Sequence, residues 1–245
     1  RGQGLADRMH RDPRAGHVNL FQDYQFDVTA MLEAAEELGL PRPFYLLGHS
    51  MGGCIGLRAV IEGLPVAAAA FTGPMWGIRM AAALRPAAWA LGWGSIRMGI
   101  GHVYAPSTGP ASYVATVAFE KNLLTRDRDS WDYMQRQVND MPELQLGGPS
   151  LRWLHEALNE CLTLARLPAP KMPAIAFVGS DERIVDVPRI AARMAAWPGG
   201  QIETIEGGRH EVLMEDAVTR GGILTRMADV FAGAGAHADT ASRSA

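Results

Sequence analysis

At 245 residues, with one residue in five charged, the chain is long enough to bury a sizeable core as one α/β domain carrying an insertion. A formal net charge of −3 and the lack of any dense Lys/Arg block exclude the electrostatic footprint of a nucleic-acid binder. The most tempting apolar stretch for a membrane span, residues 86–96 between Arg85 and Arg97, has about half the roughly 20 residues that a membrane-spanning helix needs. Two cysteines, Cys54 and Cys161, make no disulfide framework, so a reducing cytoplasm is the default expectation.

Residues 1–20 are rich in Gly, Arg, Asp and Pro and read as a loop, with His10 and His17 expected in solvent. Residues 20–38 place Phe21, Tyr24, Val28, Met31, Leu32 and Ala35 at three- and four-residue intervals, which predicts an amphipathic helix closed by Gly39 and Pro41. Phe44-Tyr45-Leu46-Leu47 then reads as a buried strand that breaks into Gly48-His49-Ser50-Met51-Gly52, with a helix from near Gly53 to Glu62. Gly-x-Ser-x-Gly between a strand and a helix is the pattern of a sharp turn that lifts a serine hydroxyl clear of the backbone. Residues 65–71 form a second strand-length apolar run.

The strand and helix alternation then stops. Residues 75–167 hold helical patterns at 78–91, 112–124, 131–138 and 151–167, together with all the tryptophans except Trp197. This stretch, taken as 75–170, predicts a helical cap, with most of its aromatic side chains holding cap helices together and some lining a groove for an apolar ligand. Alternation resumes with a strand at 174–178, a helix at 187–197, a strand at 202–205 and a last helix at 215–232. The expected organisation is a first core part at 1–74, the cap, a second core part at 171–232 and a disordered tail at 233–245. Strands alternating with helices predict a mostly parallel sheet of about four strands with helices on both faces.

Three residues fall just beyond predicted strand ends: Ser50, Asp181 and His210. Ligands of open α/β sheets bind at those ends. A serine hydroxyl needs a neutral imidazole to take its proton, and the imidazole needs a carboxylate to hold its tautomer. Ser50 is therefore the candidate nucleophile, His210 the base and Asp181 the acid, with Asp186 the rival acid. His49 adjoins the serine but is expected to point away from it, and His102, His155 and His237 lack strand-end positions. His155-Glu156 and His210-Glu211 lack the second histidine of His-Glu-x-x-His, so no metal is implied, and no phosphate-binding loop is present.

The chain resembles the serine hydrolases of the α/β-hydrolase superfamily that include bacterial lysophospholipases and monoacylglycerol lipases. The resemblance runs through Arg1-Gly2-Gln3-Gly4, Gly48-His49-Ser50-Met51-Gly52-Gly53, Asn122-Leu123-Leu124-Thr125, Gly179-Ser180-Asp181 and Arg209-His210-Glu211-Val212-Leu213. It implies Ser50, Asp181 and His210 as a catalytic set, the Met51 backbone N–H as one oxyanion donor, and His49 and Trp76 as candidates for substrate contact. It implies no cofactor, a small acyl-ester substrate, and possible contact of the cap with a membrane surface. In that family the Arg-Gly-x-Gly segment follows the fourth strand, so the first strands and the second oxyanion N–H are expected to precede Arg1. By itself the 245-residue stretch is then expected to be poorly active and prone to associate. Peptidase, thioesterase or carbon–carbon hydrolase chemistry on the same scaffold is the alternative, and a binding protein without activity a further one.

Overall fold

A computed structural model of the chain describes residues 1–242, with side chains omitted at 82 and 236–242. In order, the elements are α1 (Tyr24–Glu37), β1 (Phe44–His49), α2 (Met51–Ile61), β2 (Val66–Thr72), α3 (Arg85–Arg97), α4 (Tyr113–Thr116), α5 (Arg128–Asp140), α6 (Leu151–Arg166), β3 (Ala174–Gly179), α7 (Val187–Ala195), β4 (Gly200–Ile205) and α8 (Ala217–Ser242). The four strands form one sheet in the order β1-β2-β3-β4, each pair parallel. Their carboxyl ends consequently lie along one rim, where loops from remote parts of the sequence can meet.

The middle strands explain their own composition. Every residue of β3 is buried, as is β2 from Ala68 onward, because helices cover both faces and leave no side that could carry polar residues. On one face Ala68, Ala70, Ile175 and Phe177 pack with Ile223, Met227 and Val230 of α8, and Tyr45 stacks on Phe231 at 4.7 Å. The other face sets Phe71 edge-on to Trp76 at 5.0 Å and beside Trp197 at 6.1 Å. Cys54 and Cys161 are both buried, and neither forms a disulfide.

Two compact units divide the chain: one from residues 1–27, 80–122 and 128–160, the other from 28–79, 123–127 and 161 onward. The second contains the whole sheet. The first is helical and takes in most of the expected cap together with the leading loop. There His17 is buried against Ser150 Oγ at 2.8 Å, so it is a packed side chain and not the solvated one expected. The short strip Leu123–Asp127, which the sequence places inside the cap, belongs to the unit that holds the sheet.

Three boundaries differ from expectation for local reasons. The helix expected at 78–91 is α3, beginning only at Arg85, because Pro86 fits a first helical turn and not an interior; Ile78 instead bridges to Val185. The helix expected at 112–124 shrinks to α4, since the chain turns extended at Val117 and Asn122. Helix α8 continues to Ser242, through much of the expected disordered tail, while residues 243–245 lie outside the described residues.

Candidate active site

The turn after β1 is built for close approach. A side chain on Gly48 would meet the Gly53 Cα at 2.9 Å, and one on Gly53 would meet the Pro74 Cβ at 2.6 Å, so the β1–α2 corner admits only glycine at both places. Between them Ser50 takes φ 48° and ψ −117°, a conformation that L side chains rarely adopt. The strain is held by its neighbours. Ser50 N–H donates to the Thr72 carbonyl at 3.0 Å, and the Ser50 carbonyl accepts from Gly53 at 3.0 Å and Met75 at 2.8 Å. Met51 opens α2, so Ser50 stands at the positive end of the helix dipole, where developing negative charge is favoured.

His210 lies beyond β4, buried at 4 % exposure. Its Nε2 is 2.9 Å from Ser50 Oγ, and its Nδ1 is 2.7 Å from Glu182 Oε2. With Nδ1–H donating to the carboxylate, Nε2 keeps the lone pair that accepts from the serine hydroxyl. Room for the ring comes from Gly73 at φ 46°, where a Cβ would sit 3.1 Å from His210 Nδ1.

The carboxylate on the imidazole is Glu182, not the expected Asp181. Asp181 is 40 % exposed and faces Arg183 at 2.8 Å and Arg209 at 3.8 Å, and the charge-paired bond from Arg183 holds its carboxyl below the usual range. Asp186, the rival, stands just before α7 and has its carboxylate 3.7 Å from Arg189. The reason is direction. Beyond Gly179 the chain tightens into a turn, with Asp181 N–H bonded to Gly208 and Glu182 N–H to Gly179, so successive side chains point to opposite sides. The first acidic residue after the strand faces solvent and the second faces inward, with one more methylene to reach the ring. The Glu182 side chain is 1 % exposed, and its Oε1 also accepts from Ile184 N–H at 2.6 Å and Val185 N–H at 3.2 Å. Burial pushes this carboxyl up, but the bond and charge of His210 and the two backbone donors outweigh it, and the net shift is downward. It therefore stays ionised at neutral pH.

Two further groups hold the histidine loop. Glu215, 1 % exposed, accepts from Arg209 N–H at 2.9 Å and Arg126 N–H at 3.1 Å, and Leu124 accepts from Glu211 N–H at 2.8 Å. This explains why Leu123–Asp127 belongs with the sheet. Gly179 is the other: a Cβ there would lie 2.0 Å from the Gly208 carbonyl oxygen, so the acid loop and the histidine loop touch backbone to backbone. Gly179→Ala is expected to cost at least the roughly 1–3 kcal/mol of an overpacked core and to lower activity with it. Thermal unfolding read beside esterase turnover checks this, and an unchanged melting temperature would mean that the loops part freely.

The two candidates for substrate contact are placed differently. His49 Nδ1 donates to the Thr72 carbonyl at 2.9 Å, its Nε2 is 3.1 Å from Glu211 Oε1, and its ring lies 5.0 Å from that of His210. Burial lowers the His49 pKa and raises that of Glu211, yet their mutual bond and charge outweigh it, and the net shift is upward for His49 and downward for Glu211. Trp76 is 3 % exposed and donates from Nε1 to the Gly53 carbonyl at 3.0 Å, bracing the start of α2. With Leu57, Leu164, Leu167 and Arg193 it lines a mainly apolar cavity of about 630 Å³.

Residues 1–217 match the family described as serine aminopeptidase, S33. The chain belongs to that family. Among this family member's relatives, lysophospholipase L2 of Escherichia coli strain K12 is 32 % identical over 241 residues, covering 94 % of this chain and 70 % of that protein. The probable lysophospholipase L2 of Haemophilus influenzae is 27 % identical over 226 residues, covering 91 % of this chain and 70 % of that protein. A soluble variant of monoglyceride lipase from Saccharomyces cerevisiae, solved with a substrate analog, superposes with a TM-score of 0.68 at 18 % identity, covering 96 % of this chain and 75 % of that one. The fold is that of an α/β-hydrolase, and the resemblance to lysophospholipases and monoacylglycerol lipases read from the motifs stands.

Proposed function

We propose that this family member hydrolyses carboxylic esters of the acyl glycerol or lysophospholipid class through an acyl-serine intermediate. The observation that carries the reading is the hydrogen-bonded line from Ser50 Oγ through His210 to Glu182, at 2.9 and 2.7 Å. As Oγ attacks the ester carbonyl, Nε2 takes its proton, and the carbonyl π electrons move onto oxygen. Met51 N–H, at the α2 terminus, is the proposed donor to that oxyanion. Collapse of the tetrahedral species expels the alcohol, which leaves with the proton from His210, and water repeats the sequence to free the acid. Glu182 keeps the tautomer and stabilises the imidazolium, and no cofactor takes part.

The acyl-glycerol class is favoured by the relatives named as lysophospholipases. Contact with a lipid surface is favoured by the exposed apolar side chains on and after α3: Leu91, Trp93, Met98, Ile100 and Val103, with Arg85 and Arg97 at the ends of the helix. Among the described residues no helix is long and apolar enough to cross a membrane. The test sets p-nitrophenyl esters of rising chain length and lysophospholipid against aminoacyl amides and acyl thioesters. Turnover is expected to favour the longer esters and lysophospholipid, and to rise when substrate forms micelles, a gain that Trp93→Ala should diminish. Faster cleavage of the amides or thioesters would replace the ester reading.

A further inference from the structure

The His49–Glu211 pair has no part in the proposed mechanism, yet it sits against the working histidine. One donor atom from each of His49, His210 and Glu211 lies within 4.8 Å of the other two. We propose that these three side chains form an inhibitory binding site for a zinc-like divalent transition metal, which takes His210 Nε2 away from Ser50. The proposal rests on the hydrolase reading for its effect on activity and on coordination chemistry alone for binding.

The donor types are those of a two-histidine, one-glutamate zinc site. Their second contacts also match. Metal-bound imidazoles characteristically donate the other ring N–H to a carboxylate or backbone carbonyl, which fixes the ring and raises its basicity. His49 Nδ1 donates to the Thr72 carbonyl at 2.9 Å, and His210 Nδ1 donates to Glu182 at 2.7 Å, so both rings offer Nε2. The pairing of His49 Nε2 with Glu211 Oε1 at 3.1 Å is already near the roughly 3.4 Å separating two ligands on one tetrahedral zinc. With the three ligand atoms within 4.8 Å of one another, His210 closes the set by a shift of at most about 1.4 Å, given zinc–ligand bonds of about 2.0–2.1 Å. The two rings already lie side by side, with their centroids 5.0 Å apart.

On binding, the proton that bridges His49 Nε2 and Glu211 Oε1 goes to solvent, the Ser50–His210 bond breaks, and the serine loses its base. The fourth position is left for water. No His-Glu-x-x-His spacing announces such a site, because its histidines come from the ends of two different strands.

The experiment is equilibrium dialysis of the whole chain against micromolar Zn²⁺ with metal analysis, run beside esterase turnover and fluorophosphonate labelling in chelator-treated enzyme. One zinc per chain is expected, with a fall in turnover and labelling that chelation restores. His49→Asn and Glu211→Gln should each weaken zinc binding and inhibition at least tenfold, whereas Ser50→Ala, which keeps all three ligands, should bind zinc undiminished. Zinc bound equally well by both ligand variants, no stoichiometric zinc in the unaltered chain, or its loss in Ser50→Ala would overturn the proposal. Absent turnover and labelling in metal-free enzyme would instead count against the hydrolase reading, and dialysis would still decide the metal site.

Discussion

Ser50→Ala is expected to lower ester turnover by roughly 10⁶-fold, the scale seen when the nucleophile of a serine triad is removed, equivalent to about 8 kcal/mol of transition-state stabilisation. The size follows from the geometry. The hydroxyl is held at 2.9 Å from its base by a strained backbone at φ 48° that backbone hydrogen bonds to Thr72, Gly53, Cys54 and Met75 keep in place, so its proton has somewhere to go at the moment of attack. A water in its place would have to be ordered afresh. The fold should survive, because Oγ bonds only to His210 among the described residues, and the corner is set by Gly48, Gly53 and Pro74. Fluorophosphonate labelling reads the result directly, and labelling that persists in the variant would remove Ser50 from the role.

Glu182→Gln is expected to reduce turnover about 10⁴-fold, or roughly 5 kcal/mol, while Asp181→Asn should stay within about threefold of the parent, as surface changes do. The argument turns on which atom faces the ring. Oε1 accepts from the N–H groups of Ile184 and Val185, so an amide in this place keeps its carbonyl there and turns its NH₂ toward His210 Nδ1. The imidazole must then accept at Nδ1 and carry its proton on Nε2, where it can no longer take one from Ser50. Asp181 faces two arginines at the surface and holds nothing in the site. The paired kinetics check the assignment: a large loss in Asp181→Asn with a small one in Glu182→Gln would return the role to Asp181.

Much of the site was open to reading along the chain. Gly48, Ser50 and Gly52 announce their corner because a turn that tight leaves a chemical signature in consecutive residues, and the β2 and β3 runs announce a doubly covered sheet because burial on both faces forbids alternation. His210 stands out by following a strand in the expected chain order. Glu182 did not stand out, although an acid of either length suits the position. Which of two adjacent carboxylates turns inward depends on the pairing of Asp181 with Gly208 across a gap in sequence. Likewise Leu123–Asp127 looks like cap until Glu215 and Glu211 are seen bonding to its backbone.

The sequence by itself determined the alternating architecture, the serine corner and the chain order in which Ser50 and His210 follow strand ends, because each is written in local periodicity or in glycines that no other residue can replace. Only the tertiary structure decided that Glu182 holds the imidazole, that His49 and Glu211 pair beside it, and that Gly73 and Gly179 make the space. Those facts are distances between chain segments brought together by folding, and a side chain's direction at a turn is fixed by hydrogen bonds to partners that the linear order does not name.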